Sequence, residues 1–502
     1  MATPQEQAGL VYSTVEEIPQ INADLRKVFL THKTRDLEYR KNQLKQMAFM
    51  IKDNENLLVE ALKKDLGRSR FDSVFGETML VVNEIVDTIK NLDKWAKSER
   101  VWAGMAWPMH YPTVRKEPKG TVLVLGAWNY PLNVQVSPVI YAIAAGNCVV
   151  MKPSEVAPHS AKLIAELWGK YMDPETSRIV NGGIPQATAL LDQRWEHIMY
   201  TGNGTVGRIV AEKAAKWLCP VTLELGGKSP TIIDETADLA KTARRVLWGK
   251  TFNSGQTCIA PDYIMCTPAV QTKLVEEFKK ASKEFFPNGP AKSADFSRII
   301  NDGHWKRINS MVTGTRGKVV LGGDGDQSTK YLAPTIIADA PQDDSTMSGE
   351  IFGPVLPICT VKNIDEAIDF VNSRDQPLVL YYFGDQKKAK KVLDNTRSGG
   401  AVVNDTLLHF AVAELPFGGT GPSGYGNYHG KAGFDTFSHD RATLNAPAKG
   451  VVGFAIEKVM SMRYPPLRDS DLAKFKLLSG KSINFGRPTN PHQSPSRSRA
   501  AL

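Results

Sequence analysis

Between residues 21 and 100, apolar residues recur three and four positions apart in LRKVFLTHK, LKQMAFMIKDNENLLVEALKKDLG and VVNEIVDTIKNLDKWAK. That spacing predicts amphipathic helices. From residue 121 the pattern changes to short continuous apolar runs. TVLVLG, NCVVMKPS, SRIVNGG, HIMYTG and VTLELGG predict strands, and the segments around 136–145, 159–171, 185–192 and 205–218 predict the helices between them. Such strands with helical crossovers describe a parallel, doubly wound sheet of Rossmann type. A second alternating region, from about 226 to 415, holds SPTIID, DYIMCT, LPICTV, LVLYYFG and GAVVND between helices such as ADLAKTARRVLWGKTFN and NIDEAIDFVNS. It predicts another α/β domain of similar size. The prolines of MAWPMHYPTVRKEPKG suit an extended hairpin or arm outside the sheets. Beyond GKAGFDTFSHD the chain is less regular, and residues 486–502 read as a polar, disordered tail.

At 502 residues the chain has room for two or three domains, and 42% hydrophobic with 23% charged residues excludes a disordered or fibrous protein. The net charge of +9 is spread along the chain. It favours anionic ligands or a membrane surface only mildly, and does not suggest nucleic acid. Five scattered cysteines form neither a disulfide framework nor a CxxC zinc site, which points to a reducing compartment. The N-terminus lacks the basic start and apolar core of a signal peptide, and no run reaches the length of a spanning helix. The expected location is the cytoplasm, or the cytosolic side of an intracellular membrane.

Several stretches carry candidate chemistry. YTGNGTVGRIVAEKAAKWL holds a G-x-G-x-x-G at Gly202, Gly204 and Gly207, after a strand and opening a helix, the arrangement that cradles a pyrophosphate. The usual ribose-binding acid follows about twenty residues on, and Glu224 stands there. Lys152 and Glu155 of MKPSEVAP, just past an apolar strand, are rivals for the ribose hydroxyls. Glu224 in the apolar run VTLELGG is also a general-base candidate, because burial raises a carboxylate toward neutrality.

Cys258 of FNSGQTCIAP follows turn-forming residues, which suits access, and a loop rich in N–H donors would lower its pKa. Cys148, Cys266 and Cys359 lie in apolar strands and Cys219 precedes a proline, so these four read as structural. A Cys–His hydrolase using His409, His429 or His439 is a competitor, although no spacing pairs them with Cys258. Asn129 of GAWNYPLN leaves the first strand where a side-chain amide could serve an oxyanion.

GAWNYPLN, MKPSEVAP, YTGNGTVG, LELGGKSP, FNSGQTC, EIFGPVLP and LPFGGTGPSGYGNYHGKAGFDTFSH occur in the order of the aldehyde dehydrogenase superfamily, and the chain resembles that family from about residue 21 to 467. YHGKAGFDTFSH, RYPPL and the short N-terminus resemble the class 3, fatty aldehyde dehydrogenase branch. The resemblance implies an α/β fold with two doubly wound domains, an NAD-binding one of Rossmann type and a catalytic one, plus an oligomerisation arm. The expected boundaries are 1–106 for N-terminal helices of the NAD-binding domain, 107–120 for the arm and 121–225 for the Rossmann-type domain. The catalytic domain then takes 226–415, and 416–485 completes the active site and arm.

The resemblance assigns Cys258 as nucleophile, Glu224 as general base and Asn129 as oxyanion donor. It assigns Lys152 and Glu155 to the adenosine ribose, Gly202 and Gly207 to the cofactor turn, and Glu350 and Phe352 to the nicotinamide end. Gly204 stands where the family often has a bulkier residue. The implied activity is NAD(P)-dependent oxidation of medium- to long-chain aldehydes, fatty or isoprenoid and apocarotenoid, through a cysteine hemithioacetal and thioester. No metal is required. Glu155 favours NAD, with NADP as the second choice, since a carboxylate would repel a 2′-phosphate.

The alternatives are a coenzyme-A-acylating dehydrogenase, which Glu224 argues against, and a non-catalytic binding protein on the same fold. A homodimer is implied, with the arm in its interface. Leu472, Phe475 and Leu478 form a stripe flanked by lysines. It suits a cap over the substrate entrance, a weak membrane-surface contact, or an ordinary docked helix.

Overall fold

The apolar runs become the inner strands of two parallel sheets in a computed structural model that describes residues 3–103 and 107–486. The tail from 487 onward lies outside the described residues, as do 104–106 of the segment between the N-terminal helices and the arm. The first sheet has, in spatial order, Gly424–Tyr425, Val221–Glu224, His197–Thr201, Thr121–Leu125, Cys148–Lys152 and Ser177–Ile179. The last five run parallel. Gly424–Tyr425 is antiparallel and sets Gly424 opposite Glu224. The chain moves outward from Thr121–Leu125 in one direction, then returns to its other side at His197–Thr201. That reversal opens a crevice at the carboxyl ends of those two strands, where doubly wound sheets take ligands.

The helix Asn133–Ala145 is buried on all sides, so its residues show no apolar stripe. Of the helices before the first sheet, Leu37–Asp53 and Met79–Ala96 pack on it with one apolar face each.

The second sheet runs Lys318–Leu321, Thr335–Ala338, Val355–Thr360, Tyr263–Cys266, Pro230–Ile233, Val379–Phe383 and Gly400–Val403. All neighbours are parallel except the first pair. Five of these strands are the ones the apolar runs predict. Lys318–Leu321 and Thr335–Ala338 are additional: the former is an exposed edge strand, and the latter is a four-residue run just after a proline.

Contacts divide the chain into two units, Met1–Lys97 with Lys116–His439, and Ser98–Arg115 with Asp440–Leu502. Both sheets belong to the first. In the second, Glu99 and Arg100 pair antiparallel with Val114 and Thr113, the extended hairpin that the prolines suggest. Its helices Gly450–Met460 and Asp469–Ser479 leave much apolar surface open, and no residue of the latter is buried. Among the described residues no helix is long and apolar enough to cross a membrane.

Candidate active site

Asn253, Ser254 and Gly255 all hold positive φ, at 51°, 52° and 70°. Two non-glycine residues in the left-handed region cost energy that their side chains must repay. Asn253 Nδ2 donates to the carbonyls of Asn129 (2.9 Å) and Gln256 (3.1 Å), and Ser254 Oγ donates to Ser297 O at 2.6 Å. Gln256 Nε2 donates to Arg298 O and its Oε1 accepts from Ile300 N, both at 2.9 Å. Gly255 has no substitute: an added Cβ would lie 2.3 Å from Gly353 O. The polar residues before Cys258 are thus internal struts of a buried turn. Cys258, at its end, is the one cysteine of the five that is not fully buried.

Asn129 is buried, and its Nδ2 reaches Gln256 O at 3.2 Å, so the amide lies against the cysteine turn. What holds it there escapes sequence reasoning. Arg68 NH2 donates to Asn129 O at 2.5 Å, and Arg68 NH1 pairs with Glu77 Oε1 at 2.6 Å, both side chains wholly buried. Glu77 Oε2 accepts the N–H groups of Leu132 (3.0 Å) and Asn133 (2.7 Å) at the start of the following helix. The only signal for Glu77 in the sequence is a charged residue in an otherwise helical, core-facing stretch.

Glu224 ends its strand with the carboxyl group buried and neither oxygen hydrogen-bonded among the described residues. Burial alone pushes its pKa well above the ordinary carboxylate range. Glu350 rests against the glycine pair of LELGG: an added Cβ at Gly226 would lie 2.7 Å from both its oxygens. Burial, with Asp262 nearby, raises Glu350 to about 8, against the pull of the Gly227 N–H, Lys250 and Arg307.

Both carboxyl groups act on Cys258. Burial first, then Glu350 and Glu224, drive the thiol pKa up, and the N–H groups of Cys258 and Ile259 offset this only in part. The turn's donors alone therefore do not give the lowered pKa that the sequence suggests, because burial and two acids outweigh them. Glu224 lies close enough to the thiol to add to the field on it, which suits the general-base candidate better than the ribose one.

The strip carrying Glu350 and Phe352 is fixed by a buried charge cluster that sequence also misses. Asp262 Oδ1 accepts Ile351 N at 3.1 Å, Lys228 Nζ meets Asp262 Oδ2 at 2.7 Å, and Arg307 NH2 donates to Ile351 O at 2.8 Å. Lys250, fully buried 3.6 Å from Asp262, is lowered to about 8 by burial. Phe352, at φ 49°, sets its ring edge against Trp128 with centroids 5.3 Å apart, one residue before Asn129.

At the other end of the crevice Lys152 Nζ pairs with Glu155 Oε2 at 3.0 Å, just past the strand Cys148–Lys152. Gly202 precedes the helix Gly204–Ala215, whose cap Asn203 accepts Val206 N at 3.0 Å. An added Cβ at Gly207 would come 2.7 Å from Leu225, so this glycine serves helix–sheet packing. At Gly204 the nearest atom is 3.4 Å away, so a larger residue fits there. A helix N-terminus, a Lys–Glu pair and a second carboxylate are groups that could hold the pyrophosphate and ribose hydroxyls of a dinucleotide.

Cys258 sits in a pocket whose walls include Phe75, Tyr130, Trp248, Phe252, Leu408 and Phe410. Its polar fittings are few, chiefly Thr257, which shares a 2.8 Å hydrogen bond with Tyr130 OH. Neither His409 nor His429 is placed as a base: both stack on Phe417, burial lowers them to about 4 and about 3, and His439 is exposed. Cys148, Cys219, Cys266 and Cys359 are buried, and burial pushes each up to about 12.

A family model described as the aldehyde dehydrogenase family matches residues 2–443. The chain is 46% identical over 464 residues to aldehyde dehydrogenase family 3 member A2 of Mus musculus, covering 92% of this chain and 94% of that one. It is 46% identical over 442 residues to the dimeric NADP-preferring aldehyde dehydrogenase of Rattus norvegicus, covering 88% and 96%. Among solved structures, the substrate-bound state of Staphylococcus aureus AldH superposes with a TM-score of 0.84 at 37% identity, over 88% of this chain and 99% of that chain.

Proposed function

The chain belongs to the aldehyde dehydrogenase family and is an NAD(P)-dependent aldehyde dehydrogenase, and from that premise we propose that it oxidises medium- to long-chain aldehydes, fatty or isoprenoid, to carboxylic acids through a thioester on Cys258. The observation that carries this is an aromatic-walled pocket with Cys258 in its lining, the Asn129 amide against the cysteine turn, and a buried Glu224, without a hydrogen-bond partner among the described residues, acting on the thiol. The Cys258 thiolate attacks the carbonyl carbon, and the tetrahedral oxygen takes N–H donors from Asn129 and the Cys258 backbone. When bound, the nicotinamide dinucleotide accepts the hydrogen and electron pair leaving that carbon. Lys152 and Glu155 would hold its adenosine ribose, Gly202 and the helix start its pyrophosphate, and Glu350 with Phe352 its nicotinamide end. Glu224, as the carboxylate, then removes a proton from the water that splits the thioester, its basicity raised by burial.

Glu224→Gln with a long-chain aldehyde should release about one equivalent of reduced cofactor in a burst and then stall. Unchanged steady turnover would remove Glu224 from the mechanism. In the same assay the native enzyme's kcat/KM should rise about fourfold per added CH2 until the pocket is filled. A flat series would sink the long-chain assignment.

We place a homodimer interface at the arm of residues 107–120, in keeping with the name of the dimeric rat relative. A weak contact with a membrane surface falls to the helices after residue 449.

A further inference from the structure

We propose that the N-terminal strap, residues 4–13, walls the adenosine-ribose site, holds Glu155 in place, and thereby selects a dinucleotide with a free 2′-hydroxyl over its 2′-phosphorylated form. This rests on the reading of Lys152 and Glu155 as the ribose-binding pair. The strap begins with the short helix Pro4–Ala8, closed by a capping box between Thr3 and Glu6 and by Gly9 at φ 69°. From its middle, Gln5 Nε2 donates to Glu155 O at 3.0 Å. Ala8 and Leu10 are buried beneath the strap, and Gly9 passes so close to Lys162 that an added Cβ would lie 3.2 Å from its Nζ.

Further on, Ser13 N donates to Asn181 O at 2.9 Å and Gln186 Nε2 donates to Ser13 O at 3.0 Å. Glu155 follows the strand Cys148–Lys152, and Asn181 follows Ser177–Ile179, the neighbouring strand. The strap therefore crosses the carboxyl ends of two adjacent strands, on the face where this sheet takes its ligand. Between the two anchors lies Tyr12, whose phenol is raised by burial and by the charge of Glu155.

Admitting a 2′-phosphate requires the Glu155 carboxylate to leave Lys152 and swing aside, so that the lysine can meet the phosphate. The loop at 153–157 would have to shift to allow it. Its backbone is tied to the strap by Gln5, while Tyr12 adds an uncharged oxygen that can serve a hydroxyl but offers no cation to a phosphate. None of these strap residues belongs to the motifs that carry the ribose pair.

The test is binding without turnover: NAD and NADP are titrated separately, followed by intrinsic tryptophan fluorescence, into the full chain and into the Gln5→Ala and Glu155→Gln variants. Thermal melting checks that each is folded; Gln5 is partly exposed on a short surface helix, so its removal leaves the core untouched. Gln5→Ala should cut the NAD-to-NADP affinity ratio about three- to tenfold, the range one neutral hydrogen bond commands. Glu155→Gln should cut it at least as far. A ratio unmoved by Gln5→Ala but lowered by Glu155→Gln overturns the role of the strap and leaves the ribose assignment standing. A ratio unmoved by Glu155→Gln overturns that assignment and the strap's role with it.

Discussion

A thiol raised by burial and two neighbouring acids is a nucleophile held in reserve, and the acids differ in when they act. Glu350 titrates near 8, so below about pH 7 it is mostly neutral and adds little to the field on Cys258. Above that it becomes an anion and opposes formation of the thiolate. In the cofactor-free protein, the rate of Cys258 alkylation by iodoacetamide should rise with pH without a plateau below about pH 9. Glu350→Gln should match the native profile at about pH 6.5 and react several-fold faster at about pH 9, because one opposing charge is gone. Mass spectrometry of the labelled peptide distinguishes Cys258 from the four buried cysteines. If the two profiles coincide across the whole range, Glu350 does not act on the sulfur.

The helix Asn133–Ala145 is held by something its own sequence does not contain. Its first N–H groups are satisfied by Glu77, and Glu77 is balanced by Arg68, which also grips the backbone of Asn129. Removing one partner leaves a buried charge at a cost of about 3–5 kcal/mol, whereas replacing both by apolar residues is close to neutral. Glu77→Leu should therefore lower the thermal midpoint sharply, and the double variant Arg68→Met with Glu77→Leu should recover only the part due to the unpaired charge, since the backbone groups of Asn129, Leu132 and Asn133 stay unpaired. A double variant as unstable as the single one would mean that the lost hydrogen bonds and packing, not the unpaired charge, are at stake. This pair marks the limit of what the sequence reveals. The doubly wound sheet was legible because fully buried strands are continuous apolar runs, and the candidates stood out by position: Cys258 after turn residues, Glu224 inside an apolar strand, Glu155 just past one. The edge strand Lys318–Leu321 was not, since its apolar run is only the three residues Val319–Leu321 and the strand is half exposed. Arg68, Glu77, Asp262 and the strap residue Gln5 act through partners far along the chain, which periodicity does not register.

At the scale of the whole molecule, large apolar side chains are exposed in close succession after residue 449. Val451 is 87% exposed, Phe454 72%, Leu477 85%, Ile483 78% and Phe485 72%, and Lys449, Lys458, Lys474, Lys476 and Lys481 lie among them. A single exposed leucine needs no explanation, but this density over one short stretch marks a contact surface. The interspersed lysines argue for an anionic lipid surface, because apolar side chains enter the interface while ammonium groups stay at the headgroups. On the proposed long-chain reading such a contact serves the enzyme, since a lipophilic aldehyde would partition into the bilayer. The protein should float with vesicles of mixed phosphatidylcholine and phosphatidylserine, bind neutral vesicles less, and detach as salt is raised. The triple variant Phe454→Ser, Leu477→Ser, Phe485→Ser should lose flotation yet keep its sedimentation coefficient and its turnover of a short, soluble aldehyde. Flotation that ignores lipid charge, or survives the triple variant, would refute the lipid assignment. A change in sedimentation would instead assign this surface to a second copy of the chain.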